Sequence, residues 1–186
     1  MLGSSAGAVP VGSMAPEDFK AAMGSFAAGV TIVTTLDAEG TPQAMTATAF
    51  SSVSLDPPLC LVCIDRRSRA YVPLLRQGCF AVSILSADQE AISDRFASPV
   101  ADRFADIHWR PGVVTACPVI VGALAVIECR LAEVHAGGDH DIVLGQVHSV
   151  QVREGQPLVY WRGRYSSLPA PASAEPRNQQ VAVNDG

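Results

Sequence analysis

Lysine is nearly absent from this sequence: Lys20 is the only one among 13 lysines and arginines, and the net charge is −5. A surface that binds nucleic acid carries clustered cationic side chains, so this composition argues against nucleic-acid binding. Long apolar runs are missing too, and no stretch approaches the roughly 20 residues that a membrane-spanning helix needs. The first fifteen residues have neither a basic start nor an apolar segment, so we expect no signal peptide and a cytoplasmic location.

A metal site finds little support, because the sequence contains only one suggestive cysteine spacing, Cys60-x-x-Cys63. The surrounding residues predict a β-strand, on which side chains three positions apart point to opposite faces. Two such thiols cannot bind one ion together, and no second Cys or His pair stands at a ligand spacing. We therefore expect no bound metal and interpret the five cysteines as free, reduced thiols.

Familiar catalytic motifs are also absent. The sequence has no Gly-x-Ser-x-Gly, no P-loop and no Gly-x-Gly-x-x-Gly after a strand, and no paired carboxylates stand at helical spacing. We therefore predict that no side chain of the protein is catalytic. Polar residues suited to binding, without any such motif, are typical of a protein whose cofactor carries out the reaction.

The composition is that of one folded domain. Apolar residues make up 48% of the 186 residues and charged residues 17%, which is enough to form a core without disulfides. We expect the domain to cover residues 16–168. Residues 1–15 and 169–186 are rich in small and polar residues and in proline, with no apolar period, so we predict that both segments are disordered.

The first half of the domain predicts one helix followed by strands. The helix begins at Pro16, and Phe19, Met23 and Phe26 form an apolar stripe that we interpret as core packing. β-Branched residues and turn residues then predict a strand at 30–36, a hairpin turn at 37–40, a return strand at 43–55, a turn at 56–58 and a strand at 59–64.

Two further helices are predicted after this point. Ser68 is a candidate N-cap for a helix that ends at Gln77. Pro73 within this helix means that either its first turn is irregular or the regular helix begins near Pro73. Ser86 and Gln89 have the spacing of a capping box, which predicts that the next helix starts at this position.

The remaining residues predict mostly strands, at 79–85, 123–131, 141–152 and 158–162. Along 123–131, apolar residues alternate with Glu128 and Arg130, which predicts one buried and one exposed face. Residues 97–117 lack a steady period and predict a loop with a helical turn at the edge of a pocket. Trp109 within that loop fits a plain core anchor equally well.

The most informative stretch runs from Thr46 to Arg69. It begins with closely spaced small hydroxyl residues, turns at Asp56-Pro57-Pro58, and continues through an apolar strand into the cationic run Asp65-Arg-Arg-Ser-Arg69. Hydroxyls and backbone N–H groups followed by cations suit a polar ligand that ends in a phosphate. An ordinary hairpin, with Thr for strand propensity and Ser for solubility, explains the same residues.

Five segments together resemble the short-chain flavin reductases, the reductase components of two-component flavin monooxygenases. They are, in order, Val30–Thr35, Ser51-Ser-Val-Ser-Leu-Asp-Pro-Pro58, Phe80–Leu85, Gly138-Asp-His-Asp-Ile142 and Pro157–Tyr160. The resemblance covers roughly residues 17 to 166. Many members carry Asn where this chain has Thr48, so a side-chain amide contact to flavin does not transfer to that position.

The resemblance implies a fold and a reaction. The fold is a mainly β split barrel, Greek-key-like, with about six or seven strands and a few peripheral helices, and it forms a homodimer with flavin at the subunit interface. The reaction is hydride transfer from NADH or NADPH to FMN or FAD. The reduced flavin then passes to a partner flavin-dependent monooxygenase.

The resemblance also implies the binding residues. Those along the flavin ring and ribityl chain are Thr46, Ala47, Thr48, Ala49, Ser51, Ser52 and Val53. Backbone groups of Cys63, Ile64 and Asp65 also contact the flavin, while Ser68 and Arg69 hold the phosphate. On the nicotinamide side are His140, Arg164 and Tyr165.

Two alternatives stay open. The chain is either an NAD(P)H:flavin oxidoreductase or a non-catalytic flavin-binding or electron-transfer module of the same barrel; an oxidase of the pyridoxamine-phosphate type is a weaker third interpretation. The Gly-Asp-His run favours the first. From the residues alone, a hairpin residue hydrogen-bonded to its neighbours is the better explanation of His140, and only the resemblance places it in the site.

Overall fold

The computed structural model of the protein describes residues 14–168. Apart from Met14 and Ala15, the two segments predicted to be disordered lie outside the described residues, so those predictions stay untested. Within residues 14–168, no helix combines the length and the apolar character that crossing a membrane requires.

Strands dominate the described chain, with three α-helices and one 3₁₀ turn between them. The elements in chain order are α1 (Pro16–Gly24), β1 (Ala28–Gly29), β2 (Thr31–Leu36), β3 (Pro42–Ala47), β4 (Phe50–Leu55), β5 (Pro58–Asp65), α2 (Tyr71–Gln77), β6 (Cys79–Ile84), the 3₁₀ turn (Ala87–Gln89), α3 (Glu90–Ala97), β7 (Trp109–Pro111), β8 (Pro118–Ile120), β9 (Ala125–Gly137), β10 (His140–Val152), β11 (Leu158–Trp161) and β12 (Arg164–Ser167).

Seven strands form the main sheet in the order β3-β2-β6-β9-β10-β5-β4, and every neighbouring pair is antiparallel. Two smaller groups, β1-β11-β12 and β7-β8, lie beside it. The predicted mainly β fold with few helices is therefore confirmed. Within residues 14–168, no backbone ladder joins the two edge strands β3 and β4.

The main sheet buries apolar side chains on both faces. On β2, Ile32 belongs to a core cluster that includes Phe96 of α3, whereas its neighbour Val33 belongs to a second cluster with Phe80 and with Leu74 of α2. Strands covered on both faces read as continuous apolar runs rather than as alternating patterns. This explains why β2 and β6 were easy to predict from the sequence.

Two predictions for the first half are wrong. Helix α1 begins at Pro16 as expected, but Phe19, Met23 and Phe26 are 55%, 53% and 73% exposed, because α1 lies over neither core cluster. The return strand predicted at 43–55 is two strands. It divides after Ala47 because β3 pairs with β2, whereas β4 pairs with β5 at the opposite edge of the sheet.

The second half also differs in detail. Helix α2 begins at Tyr71 with Ala70 as its N-cap, so Ser68 lies in the preceding loop and Pro73 occupies the first turn, where its missing N–H is tolerated. The capping box of Ser86 is confirmed. Residues 97–117 contain the short strand β7 instead of a helical turn, and β12 extends the last predicted strand into a hairpin.

Glu128 corrects the alternation predicted for β9. Its side chain is 1% exposed, and its carboxylate accepts hydrogen bonds from the backbone N–H groups of Val113, Val114 and Thr115 at 2.8–2.9 Å and from the Thr115 hydroxyl at 2.9 Å. Burial raises the pKa of this carboxyl, but the bonds from Thr115, Val114 and Val113 together outweigh it and leave the pKa below its usual value. The loop after β7 is therefore attached to the sheet through one buried charge.

We predict that Glu128→Gln lowers the free energy of unfolding at pH 7 by about 1.5–3 kcal/mol, because the amide cannot accept from all four donors. A depressed folded-state pKa contributes stability that is fully present above the unfolded pKa, about 4.3, and is lost as the pH falls through the folded-state pKa. Urea denaturation at pH 7 and at pH 3–5 should therefore show that the variant is less sensitive to acid than the wild type.

Glu133→Gln is the matched control, because its side chain is 67% exposed and pairs only with His135. We expect this control to retain wild-type stability within about 0.5 kcal/mol. Equal stability of Glu128→Gln and wild type at pH 7 would contradict the structural role assigned to the buried carboxylate.

Candidate functional site

The stretch from Thr46 to Arg69 folds around the place where the sheet curves back on itself. Strands β3 and β4 follow one another in the chain but occupy opposite edges of the main sheet, and only Thr48 and Ala49 connect them. The Cys63 N–H donates to the Ala49 carbonyl at 3.0 Å, which holds this connection against β5. The end of β3 and the end of β5 are thereby brought to one side of the molecule.

An apolar cavity of about 760 Å³ opens beside this connection. Four of the predicted flavin-binding residues line it: Thr48, Ala49, Ser51 and Cys63. The opposite wall consists mainly of apolar side chains from α1, from the residues just after it and from β11. It includes Phe19, Met23 and Phe26, whose exposure was unexpected, and Tyr160. We call this space the apolar cavity; it is wide enough and apolar enough for a flat aromatic ring system.

A second space of about 610 Å³, which we call the polar cavity, lies at the ends of β3 and β5. Four other predicted site residues line it: Thr46, Asp65, Ser68 and Arg69. Arg67, Arg103 and the end of α3 complete its wall. The cavity therefore combines hydroxyl and guanidinium donors, the groups that bind phosphate in proteins.

The other predicted binding residues lie in neither cavity. Ala47 and Ile64 are buried at 7% and 0% exposure, so only their backbones can reach a ligand. Ser52 and Val53 are exposed on β4, beyond the residues that line the apolar cavity. Strand β4 thus leads away from the site after Ser51.

The arginines of the β5–α2 loop differ in whether an acid neutralises them. Arg66 donates from Nε to the Asp141 carboxylate at 2.9 Å, and Arg67 forms an ion pair with Asp65 at 2.8 Å. Arg69 instead donates only to the Val100 carbonyl at 3.3 Å, and within residues 14–168 it forms no ion pair with a carboxylate. Its positive charge therefore remains available to an anion in the polar cavity.

Arg103 is a site residue that the sequence analysis missed. It donates from Nη1 to the Ala44 carbonyl at 3.1 Å, and its Nε is the one buried side-chain polar atom in residues 14–168 without a hydrogen-bond partner. Burial and the nearby positive charge of Arg69 lower the pKa of this guanidinium below its usual value. The prediction that residues 97–117 border a pocket was the only signal, and it did not single out this arginine.

His140 is fixed by the tip of the β9–β10 hairpin. It stands opposite Asp65 in the ladder between β10 and β5, and its Nδ1 lies 2.7 Å from Oδ1 of Asp139. The adjacent Asp141 is buried and is bound by Arg66 and by the Tyr71 hydroxyl, which lower the pKa of its carboxyl. These contacts hold His140 next to the polar cavity, although it does not line that cavity.

Arg164 and Tyr165 stand on β12, and neither lines the two cavities. The Tyr165 hydroxyl lies 2.9 Å from the Ser93 hydroxyl and donates to Asp94 at 2.9 Å, while Thr46 donates to the Ser93 carbonyl at 2.8 Å. Tyr165 therefore contacts the site indirectly, through the helix that also positions Thr46. Arg164 is exposed.

The sequence is similar to those of known flavin reductases. Residues 23–169 match the family described as flavin reductase like domain. The chain is 44% identical to a flavin reductase (NADH) of Kitasatospora aureofaciens, over 90% of this chain and 88% of the relative. It is 39% identical to HsaB, the reductase subunit of a flavin-dependent monooxygenase of Rhodococcus jostii, over 87% of this chain and 83% of that one.

A solved structure shows the same fold. It is the NADH:FAD oxidoreductase SgcE6 of Streptomyces globisporus in complex with NAD and FAD fragments. The two structures superpose with a TM-score of 0.80, and the sequences are 34% identical over 85% of this chain and 97% of SgcE6. The family model spans most of the described residues, and both curated relatives exceed 30% identity over nearly the whole chain. The chain therefore belongs to the flavin reductase like family.

Proposed function

We propose that this NAD(P)H-dependent flavin reductase holds the flavin ring in the apolar cavity and the flavin phosphate in the polar cavity. One observation carries the proposal: the single stretch from Thr46 to Arg69 borders both cavities, with both of its ends on the polar cavity and the residues between them on the apolar cavity. The unneutralised Arg69 supports the fit, because its positive charge needs an anion.

The chain contributes binding and alignment. Flavin, when bound, supplies the redox chemistry by accepting a hydride from the reduced nicotinamide. Thr48, Ala49 and Cys63 form one wall of the apolar cavity and fix the plane of the ring, while Ser68 and Arg69 fix the phosphate end. When the protein holds the flavin ring and the nicotinamide ring at hydride distance, hydride transfer takes place within one complex instead of on a chance encounter in solution. This proximity is the main way in which the protein accelerates the reaction.

The product is reduced flavin, and we propose that it passes to a partner flavin-dependent monooxygenase. The relatives support this, because one is named as the reductase subunit of a flavin-dependent monooxygenase and another structure is described as the flavin reductase component of a bacterial two-component tryptophan halogenase. Reduced nicotinamide and free thiols are both typical of a reducing compartment, so we propose that the exchange takes place in the cytoplasm.

We also propose that the protein acts as a homodimer. Phe26, which follows α1, is 73% exposed and lines the apolar cavity, and Leu55, at the far end of β4, is 92% exposed beyond that cavity. Exposed apolar side chains grouped around a cavity are typical of a surface that another subunit covers. A second copy that packs there would close the apolar cavity around the flavin ring and exclude water from it.

The function is tested by mixing the purified protein with NADH or NADPH and with FMN, FAD or riboflavin, and following nicotinamide absorbance. We expect oxidation well above the protein-free rate.

Arg69→Ala should raise the Michaelis constant for FMN about tenfold or more, because a charge-assisted hydrogen bond contributes about 1.5–3 kcal/mol. The same variant should affect riboflavin little, because riboflavin has no phosphate.

The control is Arg76→Gln, an exposed arginine of α2 that lines neither cavity. It should match the wild type with every flavin. Rates equal to the protein-free mixture in all combinations would favour a non-catalytic flavin-binding module over an enzyme. An equal loss for riboflavin and FMN in Arg69→Ala would remove Arg69 from the phosphate site.

His140 gives a separate prediction. We expect His140→Ala to raise the Michaelis constant for NADH, or to slow hydride transfer in rapid-mixing experiments, while flavin affinity stays unchanged, because the flavin is held by the Thr46–Arg69 stretch. Asp139→Ala removes the ring's hydrogen-bond partner and is the matched control. If both variants only lower the melting temperature and leave NADH kinetics intact, His140 merely stabilises the hairpin.

For the homodimer, we predict that sedimentation equilibrium of the wild type gives twice the mass of one chain. Leu55→Glu should shift the protein toward monomer, because a charge buried in an apolar interface is costly. Val113→Glu changes an apolar residue that is 70% exposed and lies outside this surface, so it should remain dimeric. A monomeric wild type at micromolar concentration would refute the assembly.

A further inference from the structure

A third space of about 480 Å³ lies beside the polar cavity, and we call it the outer cavity. Its walls are the start of β3, at residues 41–44, and the loop at residues 101–104. Arg69 and Arg103 line both the polar and the outer cavity, so the two spaces meet at this pair of arginines. The function proposed above places a ligand only in the polar cavity and leaves the outer cavity without a role.

Arg69 and Arg103 provide two separate guanidinium groups, one more than a single phosphate held by Ser68 and Arg69 contacts. Arg69 donates to one carbonyl, and Arg103 donates to one carbonyl through Nη1 while its buried Nε has no partner within residues 14–168. Two neighbouring cations that lack carboxylate partners repel each other unless anionic groups lie between them. A diphosphate supplies one phosphate for each guanidinium.

The outer cavity has walls that suit a nucleoside. Phe104 and Pro42 are apolar, and the Phe104 ring is held by Phe96 and Trp109 at centroid distances of 4.9 and 5.8 Å. The nearby carboxylate of Asp102 accepts from the backbone N–H groups of its own loop at 3.0–3.1 Å, so its charge is already partly compensated. An aromatic wall with polar groups beside it is a common arrangement for a base.

We infer that the site is built for FAD rather than FMN, with the diphosphate between Arg69 and Arg103 and the adenosine in the outer cavity. FMN ends at one phosphate and leaves the outer cavity and Arg103 unused. This inference rests on the proposed flavin site, and it makes Arg103 and the residues 41–44 and 101–104 the part of the chain that distinguishes the two flavins.

The experiment is equilibrium titration of the protein with FAD, FMN and riboflavin, followed by flavin fluorescence. We expect FAD to bind at least about tenfold more tightly than FMN, as one further charge-assisted contact provides. Arg103→Gln should reduce that ratio to near one, mainly by weakening FAD. Ala101→Trp places a large side chain in the outer cavity at an exposed position and should weaken FAD while FMN binds as before.

ADP contains the diphosphate and the adenosine without the flavin ring, so it should compete with FAD and lose affinity in both variants. Arg76→Gln, which lines neither space, should behave as the wild type. Equal affinities of wild-type protein for FMN and FAD, with both flavins reduced by NADH, would overturn this inference and leave the proposed function standing. Absence of any flavin binding would overturn both.

The same ADP group occurs in the nicotinamide coenzymes, so NAD⁺ is titrated as well. Under our inference, Arg103→Gln and Ala101→Trp change NAD⁺ binding much less than FAD binding. If the two variants weaken NAD⁺ by tenfold while FAD and FMN remain alike, the outer cavity belongs to the nicotinamide nucleotide, and the assignment to FAD is wrong.

Discussion

The structure depends on a two-residue connection. Thr48 and Ala49 join β3 to β4, which are the opposite edges of a seven-stranded sheet. Strands lie about 4.8 Å apart, so the edges of a flat sheet of this size would be about 29 Å apart. Two linking residues reach only about 11 Å even when fully extended. The sheet must therefore curl until its edges nearly meet, and this places the end of β3 beside β5.

Both cavities of the site follow from that curvature. The connection itself lies in the wall of the apolar cavity, and the chain ends that it brings together, at Thr46 and Asp65, lie in the wall of the polar cavity. Helix α3 reaches the same place because Thr46 donates to the Ser93 carbonyl. The proposed binding surface is thus a consequence of sheet curvature.

The local elements were largely predictable from the sequence, whereas their placement was not. Runs of β-branched and apolar residues predicted β2, β5 and β6, and the buried side chains of β2 and β6 occupy both faces of the sheet. Ser86 with Gln89 predicted the start of a helical segment. Exposure of the α1 stripe depends on what covers the helix, which its period does not encode. Burial of Glu128 depends on a distant loop that supplies four donors.

The candidate site was predictable only in part. The family resemblance indicated Ser68 and Arg69, whereas Arg103 is more than thirty residues away from them in the chain and joins them only in the folded structure.

Charge pairing distinguishes the arginines that stabilise the fold from those that serve the ligand. Arg66 and Arg67 each face a carboxylate, and those pairs fix the β5–α2 loop and the hairpin that carries His140. Within residues 14–168, Arg69 and Arg103 donate only to carbonyl oxygens, and their two positive charges lie close together. Keeping two such cations together costs stability in the free protein, and an anion that binds between them removes the repulsion. Under the proposed assignment, a phosphate group between these two arginines would also stabilise the loop at residues 99–103, and flavin binding would be coupled to the order of that loop.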